Sequence, residues 1–175
     1  MKKYSFILLS ILLHISLNAQ THYEEIIRYK NNNVKSIITH NSNDILDGPT
    51  THYYPNGLIK TYIEFRDGKA NGIIENYYSN GSLESTGNIT NDLANGLFYY
   101  YHPNQNLKQI ILYQNNKIET INECYDRKNN KLYCGTIKNG NGFINIYDKK
   151  ANLIARDQIE NGNFVKRIDN TEETK

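Results

Sequence analysis

Tryptophan is absent from this 175-residue chain, and methionine, cysteine and proline are scarce, with one, two and three residues respectively. The chain is instead rich in tyrosine, with 15 residues, and in asparagine, with 27. The mean hydropathy is −0.68. Tyrosine favours strands, and asparagine tolerates the left-handed backbone of turns. This composition argues against a large globular core and predicts many short strands separated by many turns.

An excess of charge of one sign is also missing. Lys2 and Lys3 account for the whole formal charge of +2, so the remainder of the chain is neutral. No basic patch suggests nucleic acid or anionic lipid, and no acidic run suggests a cation store. We therefore expect no nucleic-acid partner and no strong membrane signal in the mature chain.

The one long apolar run lies at the N-terminus. Lys2 and Lys3 precede a mostly apolar stretch over residues 6–17, and Ala19 offers a small-residue cleavage point. The run is short for a membrane span, and no cysteine follows it. We therefore predict a signal peptide over residues 1–20 and export to the periplasm or the extracellular space without a lipid anchor. A buried first helix is the alternative, but no later segment resembles a helical partner for it.

Motifs of common enzymes are lacking. There is no Gly-x-Ser-x-Gly sequence, no phosphate loop and no dinucleotide fingerprint. His22, His40, His52 and His102 are scattered, without the spacing of a metal motif. We therefore expect no catalytic residues, no cofactor and no metal, and we interpret His52 and His102 as substitutes for aromatic side chains on a sheet.

The main positive signal is an internal repeat. Three similar segments begin at Tyr54, Tyr78 and His102, which are 24 residues apart. Weaker copies are assigned to Tyr29, Tyr125 and Tyr147. The series predicts about six tandem units, and short units of this kind are stable when they stack on their neighbours.

Turn residues recur within each unit. In the first predicted turn of the unit, glycine recurs at Gly57 and Gly81. In the second predicted turn, five copies hold Gly, Asp or Asn, at Gly68, Asp92, Asn116, Gly140 and Gly162. These residue types adopt positive φ at low cost. Apolar and polar residues alternate between the turns, as in β-strands. Each unit is therefore predicted to be a β-hairpin.

Stacked hairpins define the predicted architecture. We expect an all-β fold, an elongated single-layer antiparallel sheet of tandem β-hairpin repeats after the signal peptide. The repeat domain would span residues 21–168, and residues 169–175 would form a polar tail. Twelve strands about 4.8 Å apart would give a sheet on the order of 55 Å long.

The best copies carry a family resemblance. Residues 53–72 read Tyr-Tyr-Pro-Asn-Gly, then an apolar strand, then Asp-Gly-Lys-Ala-Asn-Gly, and residues 77–96 follow the same pattern. This unit resembles the MORN repeat, in the bacterial variant of the YwqK-type antitoxin family, with the best match over residues 51–119. The resemblance implies an open, twisted antiparallel sheet with one aromatic-lined face and no catalytic residues.

Four tyrosines are candidates for a binding face: Tyr53, Tyr77, Tyr99 and Tyr101. Tyrosine provides rigid contact area at low entropic cost, so the leading hypothesis is a non-enzymatic protein-binding or scaffold module whose partner is another protein. The alternative for each tyrosine is packing within the sheet. Two other functions stay open: glycan or cell-wall binding, which the lack of tryptophan disfavours, and an antitoxin or immunity role, which rests on the family resemblance.

The two cysteines are Cys124 and Cys134, an even pair in a chain that we expect to be exported. Asn129 and Asn130 lie near the midpoint between them, so a hairpin there would bring the cysteines nearly opposite each other. The Cys-x-x-Cys spacing of a redox pair is absent. The sequence therefore predicts a structural disulfide.

Overall fold

The computed structural model of the protein describes residues 21–170, which form thirteen β-strands and no helix. No helix in that range is therefore long and apolar enough to cross a membrane. The strands are β1 (His22–Arg28), β2 (Val34–Asn41), β3 (Leu46–Tyr53), β4 (Ile59–Arg66), β5 (Lys69–Tyr77), β6 (Leu83–Thr90), β7 (Leu93–Ala94), β8 (Gly96–Tyr101), β9 (Leu107–Gln114), β10 (Lys117–Cys124), β11 (Gly142–Tyr147), β12 (Leu153–Glu160) and β13 (Asn163–Asp169). The predicted signal peptide lies outside the described residues.

Consecutive hairpins build a long antiparallel sheet. Strands β1 to β10 pair in chain order, except that the two-residue β7 pairs beside β8 on β6. Strands β11 to β13 form a second antiparallel sheet of three strands. The predicted all-β fold of tandem hairpins is confirmed.

The hydrogen-bonded sheet is interrupted after β10, which differs from the expected run of twelve strands. Between β10 and β11 the described chain makes only isolated bridges, such as Tyr125 with Lys131. Gly135 has a φ of +117°, and a Cβ at this position would lie 2.0 Å from the carbonyl oxygen of Phe143. Only glycine combines this φ with so close an approach, so Gly135 lets the irregular segment lie against β11.

One edge of the stack carries the turns that begin each repeat. The N–H of Gly57 donates to the carbonyl of Tyr54, and the N–H of Gly81 donates to that of Tyr78, both at 2.9 Å. The φ angles of Gly57 and Gly81 are +86° and +85°, which confirms the predicted turn conformation.

In the last two copies the turn begins one residue later than the sequence pattern predicted. The carbonyls of Asp126 and Asp148, not of Tyr125 and Tyr147, accept the turn hydrogen bonds. The assignment of the repeat starts to Tyr125 and Tyr147 was therefore wrong. Aspartate can begin this turn because its carboxylate accepts hydrogen bonds from the backbone that follows, as Asp126 does from the N–H of Lys128 at 2.8 Å.

The opposite edge carries two-residue turns with two consecutive residues at positive φ. Asp67 and Gly68 have φ of +49° and +79°, which is the type I′ geometry favoured by Asp-Gly and Asn-Gly. The predicted positive φ at Gly68 and its four equivalents is confirmed. The preceding residue also has positive φ in all five copies, at Asp67, Asn91, Asn115, Asn139 and Asn161.

The two faces of the long sheet differ in burial. Directly opposed residues of an antiparallel pair share a face. One face holds the buried Ser36, Ser85, Phe98 and Ile111, with Phe98 packed edge-on against Tyr113 at 5.1 Å between ring centroids. Small side chains let neighbouring rings cover this face, and the other face is left more open.

Candidate binding face

The more open face of the long sheet carries the tyrosines singled out in the sequence. Tyr62 lies opposite Glu75, Glu75 lies opposite Thr86, and Thr86 lies opposite Tyr99. Strand alternation places Tyr77 beside Glu75 and Tyr101 beside Tyr99 on this face. Tyr53 lies two residues after Thr51 on β3, and Thr51 lies opposite Tyr62, so Tyr53 is on the same face. We call this surface the tyrosine face, and it brings together Tyr53, Tyr77, Tyr99 and Tyr101.

Three of these tyrosines belong to a longer series. Each residue that precedes the start of a repeat turn, from β3 onward, is a tyrosine: Tyr53, Tyr77, Tyr101, Tyr125 and Tyr147. Tyr125 and Tyr147 were not predicted as members because their similarity to Tyr54 and Tyr78 indicated the turn position. The signal was present, since Tyr-Asp takes the place of Tyr-Tyr at nearly the same interval.

Carboxylates orient some of these rings. The hydroxyl of Tyr77 donates to Glu75 at 2.7 Å, and that of Tyr125 donates to Glu123 at 2.6 Å. The hydrogen bond to Glu75, with a smaller effect of burial, raises the pKa of Tyr77 to about 12. Tyr77 therefore stays protonated at physiological pH and holds the carboxylate of Glu75 beside it.

Apolar side chains extend the tyrosine face. Ile73 and Leu97 each lie two residues before a member of the face and are 46% and 40% exposed. The four candidate tyrosines are half-buried. The surface thus combines exposed aliphatic groups and aromatic edges, which suit the apolar core of a protein interface, with carboxylates beside them.

A second aromatic series has a structural role. The residue that begins each turn reaches across to the backbone of the next repeat, as Tyr54 Oη does to the carbonyl of Tyr77 at 2.7 Å. The equivalent bonds join Tyr29 to Tyr53 at 2.6 Å, Tyr78 to Tyr101 at 2.8 Å and His102 to Tyr125 at 2.9 Å. These bonds connect successive hairpins, and His102 replaces tyrosine as the sequence predicted.

This series of bonds ends at Asp126, which has no ring to reach the next repeat. A cleft of about 200 Å³ lies there between β10 and the second sheet. Its lining combines apolar Leu132 and Ile144 with charged Asp126 and Arg127. At the other edge the stack continues, because the N–H of Ile118 donates to the carbonyl of Gly162 at 3.0 Å.

Cys124 and Cys134 form a disulfide beside this cleft, with their Cα atoms 5.4 Å apart. The N–H of Leu132 donates to the carbonyl of Cys124 at 2.8 Å. The bridge ties the end of β10 to the irregular segment that follows it. It therefore supports the region in which the sheet ladder and the repeat-to-repeat bonds are interrupted.

The remaining histidines are dispersed over the sheet. Within residues 21–170, no three His, Cys, Asp or Glu side chains cluster as metal ligands. His52 instead bonds through Nδ1 to the hydroxyl of Ser36 on the neighbouring strand at 2.8 Å.

Comparison with known families agrees with this geometry. Residues 70–91 and 94–115 match the family model of the MORN repeat variant. Both segments lie within residues 51–119, where the resemblance was expected to be best. MORN repeats are often protein-binding or scaffold modules. No curated protein matches the chain.

The fold and the matched segments together define the class of the protein. It is an all-β protein of tandem hairpins, two central segments of which match the MORN repeat variant. The match identifies the repeat variant, and membership of the YwqK-type antitoxin family stays a hypothesis.

Proposed function

We propose that this protein is an exported, non-enzymatic protein-binding or scaffold module and that another protein binds its tyrosine face. The observation that supports this proposal most is the recurrence of Tyr53, Tyr77 and Tyr101 at one position of successive repeats on one partly exposed face. Lys2, Lys3 and the apolar run over residues 6–17 support the export.

The periodic surface suits an extended partner. Two strands per repeat place equivalent tyrosines roughly 10 Å apart along the sheet. Glu75 and Glu123 occupy equivalent positions two repeats apart, a distance of roughly 20 Å. Both belong to this face, since Glu123 lies opposite Ile110 and Ile110 lies opposite Tyr99. We therefore expect a partner with apolar side chains at the shorter interval and basic groups at the longer one.

The proposal can be tested by capturing partners from a cell-envelope extract with the purified protein and measuring their affinity. The binding variant replaces Tyr77 and Tyr101 by Ser. The matched control is Tyr78→Phe, which removes a hydroxyl that bonds Tyr101 O within the protein. We expect the binding variant to lose a partner that the parent protein and the control both retain.

The same experiment separates the alternatives. A partner that binds the double serine variant as tightly as the parent protein would contradict the proposal. Retention of a polysaccharide, lost in the same variant, would instead support the glycan hypothesis. Thermal unfolding of each variant checks that the sheet remains folded.

A further inference from the structure

Both ends of the stack expose an unpaired strand edge. Within the described chain, β1 pairs only with β2, and β13 pairs only with β12. Ile26 of β1 and Phe164 and Val165 of β13 are 50%, 59% and 48% exposed. An open strand edge with exposed apolar side chains is a template for pairing with another strand.

We infer that β1 of one copy of this protein pairs antiparallel with β13 of a second copy. In one register, the acidic residues of β1 meet basic residues in the part of β13 that follows its bulge at Val165. Glu24 and Glu25 lie opposite Arg167 and Lys166, and His22 lies opposite Asp169. Tyr23 lies opposite Ile168. Before Lys166 the bulge of β13 interrupts one-to-one pairing, and there the apolar Ile26 and Ile27 of β1 meet the apolar Phe164 and Val165 of β13. Opposite charges and apolar pairs placed directly across a sheet are stabilising.

The backbone supports the same register. On β1, the N–H of Tyr29 donates inward to Asn33 O, so by alternation the backbone groups of Glu24 and His22 face outward. On β13, the N–H of Asn170 donates inward to Ile154 O, so those of Arg167 and Asp169 face outward. Glu24 then meets Arg167, and His22 meets Asp169, as hydrogen-bonded pairs.

Neighbouring registers are less favourable. Outward-facing and inward-facing backbone groups alternate along each strand, so the nearest alternative registers of β1 on β13 are shifted by two residues. One such shift would place His22 opposite Arg167, and the other would place Glu24 opposite Asp169. The first brings histidine, which is positive when protonated, next to arginine, and the second brings two carboxylates together.

Pairing of like strands is also disfavoured. Two β1 strands centred on each other would place Glu25 opposite Glu25, and two β13 strands would place Lys166 opposite Lys166. Charged residues on strand edges commonly prevent association. Here they oppose the symmetric pairings and favour the unlike one.

The pairing of two different edges does not close on itself in a two-fold dimer. Each added copy leaves one free β1 and one free β13, so association continues as an open chain or a ring. This inference is independent of the proposed function, because the strand edges lie at the ends of the stack and the tyrosine face lies along it.

Charge exchange provides the test. The protein is purified in the form that its host accumulates, and its weight-average mass is followed by sedimentation velocity over a range of concentrations. Glu25→Lys would place Lys opposite Lys166, and Lys166→Glu would place Glu opposite Glu25. Each single variant should associate roughly tenfold more weakly than the parent protein. Lys60→Glu, an exposed charge reversal on β4 away from both edges, is the matched control.

Mixing the two single variants in equal amounts should restore association, since both kinds of junction then carry opposite charges. This restoration also shows that both variants are folded. A parent protein that remains monomeric at every concentration would overturn the inference. A mass that stops at two copies, or single variants that associate as well as the parent protein, would overturn it as well.

Discussion

The turn glycines should differ in their sensitivity to substitution, and Gly162 should be far more sensitive than Gly57. Both have positive φ, at +76° and +86°. Among the described residues, no heavy atom lies within 4 Å of a Cβ added to Gly57. A Cβ on Gly162 would lie 2.4 Å from Cβ of Lys117 and 3.0 Å from the carbonyl oxygen of Ile118.

The magnitudes follow from these two environments. Gly57→Ala incurs only the backbone cost of a left-handed residue, about 1–2 kcal/mol. Gly162→Ala adds the cost of overpacking, about 1–3 kcal/mol, because the closest contacts belong to Cβ and backbone atoms that cannot rotate away. Gly87→Ala isolates the packing cost, since Gly87 lacks positive φ and its Cβ would lie 2.4 Å from the ring of Phe98.

Urea unfolding of the three alanine variants measures these differences in the free energy of unfolding. We expect Gly162→Ala to lose at least 1 kcal/mol more than Gly57→Ala, by the overpacking cost of about 1–3 kcal/mol. Equal losses would refute the close contact between the Gly162 turn and β10. Gly57→Val should cost about 1–3 kcal/mol and Gly57→Asn less, as Asn32 and Asn129 already have a φ of +68° at the equivalent position of other repeats.

Four further predictions concern single features of the chain. Tyr78→Phe removes one bond between repeats and should lower the free energy of unfolding by about 1 kcal/mol, measured by urea unfolding. The pKa of Tyr77 is raised to about 12, so the stabilisation by its protonated hydroxyl is complete below pH 10 and is lost as the pH rises through 12. Phenylalanine has no hydroxyl to ionise, so alkaline unfolding of Tyr77→Phe should begin at a higher pH than that of the parent protein. Peptide mapping without reductant should find Cys124 linked to Cys134, and replacing both by serine should cost about 2–3 kcal/mol. Intact-mass measurement of the protein from its host should show cleavage close to Ala19, and retention of residues 1–20 would contradict the predicted export.

Local backbone requirements were predictable from the sequence because they recur. Gly68 and its equivalents hold only Gly, Asp or Asn, which are the residues that accept positive φ at low cost. The two adjacent positive-φ residues of the type I′ turn were also readable, since Asp or Asn precedes that position in every copy. The alternation in β4 and β9 likewise predicted strands, and both are present.

The register of the last repeats was not predictable from residue similarity. Tyr125 and Tyr147 resemble the aromatic residues that begin earlier turns, but Asp126 and Asp148 occupy that position. A carboxylate and a tyrosine ring satisfy the turn in different ways. The carboxylate bonds to the backbone of its own turn, whereas the ring bonds to the next repeat. Similarity of side chains therefore misplaced the turn by one residue.

The sequence by itself determined the hairpin repeat, the turn positions and the residue types on each strand, since period, φ preference and alternation are local properties of the chain. Only the tertiary structure decided where the ladder stops and which tyrosines share a face. It also decided that, among the described strands, β1 and β13 lie at the exposed edges. These features depend on cross-strand register and on contacts between residues more than twenty positions apart, and bulges such as that between Asn76 and Tyr77 shift the register.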